Sequence, residues 1–162
     1  MITWVFDLDN TLYKMPAGMM ADGLYFDYSI LKYDPALNDV INKLSGNKVI
    51  FTNAMADHCF KSIGKMQLQN SFSKYFYRQI SGLKPHPNAY GTVMKFTKTN
   101  DVNNKYIFFD DTFINLIMAK KFDWVTVLIL NGNSSMSPNP YIDFTFPDIK
   151  TALNYFVNFF GK

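Results

Sequence analysis

The chain has 162 residues, 48% hydrophobic and 17% aromatic, which is ample for one core and too little for two full domains. Its formal charge of +3 is spread over scattered lysines, which excludes the basic runs that dock on nucleic acid or an anionic membrane surface. One cysteine, Cys59, excludes an intrachain disulfide, and no apolar run approaches the ~20 residues of a bilayer span. With no basic, apolar leader at the start, the expectation is a soluble, cytoplasmic protein in a single domain over residues 1–162.

The first apolar run predicts a strand over Thr3 to Leu8 that runs into Asp7-Leu8-Asp9-Asn10-Thr11-Leu12-Tyr13. If it is buried, Asp7 emerges at its carboxyl end, where open α/β sheets bind ligands. A helix is expected over Pro35 to Leu44, with Asp34 as its cap, Pro35 at its first position and Gly46 just past its end. A second strand, Lys48 to Asn53, leads into Thr52-Asn53-Ala54 and a helix over Met55 to Met66. Tyr75 to Ile80 reads as a third strand, followed by Leu83-Lys84-Pro85 and a helix over Asn88 to Thr97. Tyr106 to Phe109 is the fourth strand and ends in Asp110-Asp111-Thr112. A helix over Phe113 to Phe122 and a fifth strand over Val125 to Leu130 come next.

Residues 131–140 are polar and rich in turn formers, and read as a loop before a last helix over Pro147 to Phe159. Strands alternating with helices are the pattern of βαβ units, hence an α/β fold around a parallel sheet of five strands.

Four motifs stand at strand ends in a fixed order: Asp7-Leu8-Asp9-Asn10-Thr11, Phe51-Thr52-Asn53-Ala54, Leu83-Lys84-Pro85 and Phe109-Asp110-Asp111-Thr112. In this order they resemble the haloacid dehalogenase (HAD) superfamily over roughly residues 1 to 131. Asp-Leu-Asp-Asn-Thr-Leu-Tyr, Thr52-Asn53-Ala54 with His58, and Lys84-Pro85-His86 look most like its pyrimidine 5'-nucleotidase-like branch. The resemblance implies a Rossmannoid three-layer sandwich with strand order 5-4-1-2-3. It also implies a Mg2+-dependent phosphatase that proceeds through an aspartyl-phosphate.

By that resemblance Asp7 is the nucleophile and Asp9 the general acid and base. Members that break carbon–halogen bonds lack an aspartate at the second position, so Asp9 favours phosphoryl transfer. Asp7, the Asp9 carbonyl and Asp111 are the implied metal ligands, with Asp110 acting through water. The Thr52 hydroxyl and the Asn53 backbone N–H are implied to hold phosphoryl oxygens, and Lys84 to offset the acidic cluster and the incoming phosphate. Asn115 is expected to steady Lys84 or the Asp110-Asp111 pair. His58 is either near the substrate or a packing histidine, and His86 is read as part of a loop. Arg78, the one arginine, is either a surface residue or a guanidinium fork for an anion.

In this branch a helical cap domain is inserted after the first motif. Here residues 14–33 stand in its place, too few for an independently packed cap. A reduced insert predicts an open site and weak substrate selection. Its Met19, Met20, Leu24, Tyr25, Phe26 and Tyr28 either cover the sheet face or form a small lid that stacks on an aromatic substrate. An exposed patch there leaves room for a homodimer. Expected substrates are small phosphomonoesters, nucleoside 5'-monophosphates first. The alternatives are phosphorylated macromolecules, whether phosphoprotein or nucleic-acid ends, and a weakly active binding protein on the same fold.

Overall fold

In the computed structural model, residues 1–19, 25–134 and 137–160 are described. The central strand β1 is Ile2–Phe6, flanked by β2 (Asn47–Phe51) and β4 (Lys105–Asp110). Beyond β2 lies β3 (Lys74–Phe76), and beyond β4 lie β5 (Val125–Ile129) and β6 (Phe144–Phe146), with every pairing parallel.

The period of two along a strand explains the layers. Trp4 and Phe6 point to one face and pack with Val40, Ile41, Cys59, Ile63, Leu153 and Phe156. These come from α1 (Pro35–Lys43), α2 (Ala56–Lys65) and α6 (Ile149–Phe160). Val5 points to the other face, against Tyr90 and Val93 of α4 (Pro87–Thr97) and Leu116 and Ala119 of α5 (Phe113–Lys120). Burial on both faces is why the central strands read as continuous apolar runs.

Local chemistry sets the boundaries. Asp34 caps α1, its Oδ1 accepting from the backbone N–H of Ala36 and Leu37 at 3.0 and 3.1 Å, with Pro35 in the first turn. Gly46, which turns the chain from α1 into β2, has φ +103°, and a Cβ there would stand 2.3 Å from the carbonyl oxygen of Ile2.

Two expectations are corrected. The sheet has six strands where five were expected, and its order, β3-β2-β1-β4-β5-β6, departs from 5-4-1-2-3 by a strand added outside β5. That strand is only Phe144-Thr145-Phe146, held by a tertiary clasp. The backbone N–H of Thr126 donates to Asp143 Oδ2 at 2.8 Å, and the N–H of Asp143 donates to Thr126 Oγ1 at 3.1 Å. The third strand ends at Phe76, short of Ile80. Its next residues form a helical turn, α3 (Arg78–Ser81), because the Arg78 N–H bonds back to the Ala54 carbonyl at 2.9 Å.

Of the insert, Met20 and Leu24 lie outside the described residues, as do Ser135 and Met136 of the loop after β5. Phe26 and Leu31 are buried in the core, Met19, Tyr28 and Ile30 pack against it, and Tyr28–Ile30 forms one 3-10 turn. These residues of the insert therefore cover the sheet face, whereas Tyr25 is 86% exposed and takes no part in that cover. No helix among the described residues is long and apolar enough to cross a membrane.

Candidate active site

Parallel register brings three chain segments to one edge. Phe6 pairs with Ile50 on one side and Phe109 on the other, so Asp7, Thr52 and Asp110 leave the sheet side by side at its carboxyl end. The N–H of Asp7 extends the ladder to the Phe109 carbonyl, and that of Thr52 to the Phe76 carbonyl, both at 2.9 Å. A cleft of about 500 Å3 opens here, lined by Asp7, Asp9, Thr52, Lys84, Asp111 and Arg78 among others.

Asp7 is 7% exposed. Its Oδ2 accepts from Thr11 Oγ1 at 3.0 Å and its Oδ1 from Lys84 Nζ at 2.8 Å. The same ammonium donates to Asp110 Oδ2 and to the Phe51 carbonyl, each at 2.8 Å, which uses all three of its hydrogens. Asp110 is fully buried and has both oxygens occupied. Asn115 Nδ2 also donates to Oδ2 at 3.1 Å, and the Thr112 N–H to Oδ1 at 2.8 Å. Asp111, in the cleft wall, accepts from Asn10 Nδ2 at 3.1 Å.

Asp7, Asp110 and Asp111 each bring a carboxylate oxygen within 4.8 Å of the others. Three carboxylates face one ammonium, an excess of two negative charges when all are ionised. Burial, and then the Asp110 charge, push Asp7 well above the ordinary carboxylate range despite Lys84. Burial and Asp110 also raise Asp111. For Lys84 burial opposes the charge, but Asp110 and Asp7 together outweigh it and raise the ammonium above the usual lysine value. An all-oxygen donor set with unbalanced negative charge fits a hard divalent cation such as Mg2+.

Asp9 is held separately. Its Oδ1 accepts from the Tyr13 hydroxyl and from His58 Nε2, the latter at 2.7 Å, and His58 Nδ1 lies 2.8 Å from the Tyr28 hydroxyl. Burial, followed by the Asp9 charge, raises the Tyr13 phenol far above its ordinary value, so it donates as a neutral hydroxyl. Cys59 is fully buried, and burial followed by Asp9 pushes its thiol up to about 12, which rules it out as a nucleophile at neutral pH.

Thr52 closes the turn after β2. Its Oγ1 accepts from the Ala54 N–H at 3.1 Å, and its hydrogen meets no acceptor among the described residues. The expected phosphoryl contact of Asn53 is through its backbone N–H; its side chain clamps the backbone of Lys84. Its Nδ2 donates to the Lys84 carbonyl at 3.0 Å and its Oδ1 accepts the Lys84 N–H at 2.7 Å. Arg78 is exposed at the cleft rim, its Nε donating to the Asn53 carbonyl at 3.0 Å. His86 lies away from the cleft lining and caps α4, its Nδ1 accepting the Asn88 N–H at 3.2 Å.

His58 is 4% exposed and reaches the site through Asp9, without lining the cleft. Asn10, Thr11 and Tyr13 were not foreseen as site residues. Their signal is spacing: one turn after β1 sets Thr11 four residues from Asp7, and Tyr13 four from Asp9. Asn10 stands between them at φ +57°, a conformation asparagine tolerates.

No family model matches the sequence. The fold is shared with solved structures of low sequence identity. The L-2-haloacid dehalogenase from Xanthobacter autotrophicus with chloropropionic acid covalently bound aligns at TM-score 0.62 and 17% identity, over 80% of this chain and 62% of that one. The putative HAD-hydrolase YfnB from Bacillus subtilis bound to magnesium aligns at TM-score 0.63 and 15% identity, over 80% and 56%. The UTR4 protein of Saccharomyces cerevisiae aligns at TM-score 0.58 and 17% identity, over 72% and 55%. This chain thus spans less than two thirds of the length of each, and the likeness is one of fold.

Proposed function

We propose that this protein is a Mg2+-dependent phosphomonoester hydrolase of the HAD superfamily that works through phosphorylated Asp7. The observation that carries this reading is Asp9, a second carboxylate in the cleft beside Asp7 with its own hydrogen-bond support. A displacement at carbon, as the dehalogenase relative's name describes, needs a nucleophile but no proton for a departing halide. A phosphate ester needs both nucleophile and acid.

Asp7 attacks phosphorus while Thr52, through its hydroxyl, and the Asn53 backbone N–H bind phosphoryl oxygens and fix the line of attack. Lys84 offsets charge on Asp7 and Asp110. Asp9 gives its proton to the leaving oxygen, then takes one from the water that attacks phospho-Asp7, freeing phosphate. Asp7, Asp111 and the Asp9 carbonyl would hold Mg2+, with Asp110 in support because its own oxygens are taken by Lys84, Asn115 and Thr112. When bound, the cation supplies charge neutralisation at the phosphoryl group.

The resemblance puts nucleoside 5'-monophosphates first among substrates. Among the described residues no aromatic ring lines the cleft, so purine and pyrimidine monophosphates should differ by less than ~10-fold in kcat/KM. A phosphorylated macromolecule is the second reading, favoured by the exposed rim at Pro16 and Arg78.

The test is phosphate release from nucleotides, sugar phosphates, phosphopeptides and phosphorylated oligonucleotides, with Mg2+ or EDTA. Chloride release from 2-chloropropionate runs alongside, with Asp7→Asn as the control. Metal-dependent phosphate release by wild type alone is expected. Chloride release, or no turnover of any ester, would sink the proposal.

A further inference from the structure

His58 and Tyr28 form a chain that ends on Asp9 without either residue lining the cleft. The geometry points to His58 as a positioning residue that orients Asp9, with Tyr28, from the insert, holding the His58 ring in place by a hydrogen bond at Nδ1. This rests on Asp9 acting as the general acid.

Rotation of a carboxyl group about its last bond is soft and roughly two-fold. In Asp9 both donors, Tyr13 and His58, fall on Oδ1, and Oδ2 has no hydrogen-bond partner among the described residues. Two donors arriving at one oxygen from different elements fix the carboxyl plane, so Oδ2 is the oxygen that serves the reaction. With one donor removed, the group can swing about the other.

A single neutral tautomer of His58 meets both contacts, with Nε2–H donating to Asp9 and Nδ1 accepting from Tyr28. The opposite tautomer would turn a lone pair toward the carboxylate. The ring is also locked by packing: Phe26 meets it edge-on with centroids 4.6 Å apart, and Phe26 in turn packs on Tyr13 at 6.1 Å. Phe26 and Tyr28 both belong to residues 14–33. The described part of this insert thus supports Asp9 from behind the site and does not merely cover the sheet.

In the step served, the Asp9 Oδ2 proton passes to the ester oxygen. The bond from that oxygen to phosphorus breaks as the bond from Asp7 forms, and the alcohol leaves neutral. An ester whose leaving group departs as a stable anion needs little of this help, whereas an alkyl ester needs it fully.

The experiment compares kcat/KM for p-nitrophenyl phosphate and an alkyl phosphate. This parameter reports transfer to Asp7 and not the later hydrolysis. Asp9→Asn is expected to lose the alkyl ester selectively. His58→Ala should repeat that pattern, with ~10-fold or greater loss for the alkyl ester and under ~3-fold for p-nitrophenyl phosphate. His58→Gln, which keeps a donor, should recover most of it. Tyr28→Phe, which removes one oxygen from a partly exposed ring, should show a smaller loss with the same selectivity, and decides the matter if His58→Ala fails to fold. Equal losses for both esters in the His58 and Tyr28 variants, beside a selective loss in Asp9→Asn, would overturn the positioning role alone. An unselective Asp9→Asn would overturn the general-acid reading and this role with it.

Discussion

Lys84 and Asp7, 77 positions apart in the chain, meet at 2.8 Å between Nζ and Oδ1 with both side chains almost wholly buried. The ammonium is the described counter-charge between Asp7 and Asp110, so fold and site share it. Lys84→Met leaves two buried carboxylates facing each other. The expected cost is about 3–5 kcal/mol of stability by urea denaturation, together with loss of phosphate release by ~100-fold or more. A variant that melts like wild type would contradict the buried ion pair.

Asp7→Asn should separate activity from stability. Because the folded-state pKa of Asp7 lies above its unfolded value, the unfolded chain releases this proton first. The carboxyl therefore contributes stability in acid that is lost as pH rises from the unfolded pKa through the folded one. At neutral pH Asp7→Asn should raise the thermal midpoint recorded without divalent cation, while lowering turnover recorded with Mg2+ by on the order of 10⁴-fold. A lowered midpoint at pH 7 would show that the bonds from Thr11 and Lys84 outweigh the burial of the charge.

Binding of Mg2+ should stabilise the protein. At a hundredfold excess over Kd the gain is about 2.7 kcal/mol, read as a rise in melting temperature that EDTA reverses. Asp111→Asn should abolish this gain. Asp9→Asn should keep it, since only the backbone of Asp9 is assigned to the ion. A lost gain in Asp9→Asn would contradict that assignment.

Gly46→Ala tests the hinge between α1 and β2. The residue combines φ +103° with a Cβ position 2.3 Å from the Ile2 carbonyl, and β1 pairs with β2 there. A loss of roughly 2 kcal/mol or more is expected in urea melts, with kcat/KM of the surviving folded fraction unchanged.

Where strands end is written in the sequence as where apolar runs end, which is why Asp7, Thr52 and Asp110 were legible as neighbours. Asn115 was legible because it falls on the first turn after a strand-end motif. Contacts between distant positions were not. His58 reaches Asp9 across 49 positions and Tyr28 reaches His58 across 30, and no local pattern announces either bond. Three residues of β6 carry too little periodicity to be read, since their stability comes from the Asp143–Thr126 clasp. The run after Phe76 has strand composition but turns helical, because its partner on one side ends and Ala54 captures the Arg78 N–H.

The sheet is widest in its middle and ends at both margins in strands of three residues, β3 and β6. A margin that short offers an approaching strand only a few free backbone groups to pair with. Lys74 opens one margin, and Asp143, next to the other, is already committed to Thr126 and Lys120. The long apolar strands that aggregation would recruit are thereby kept inside, so a chain nearly half hydrophobic carries its own protection against edge-to-edge stacking.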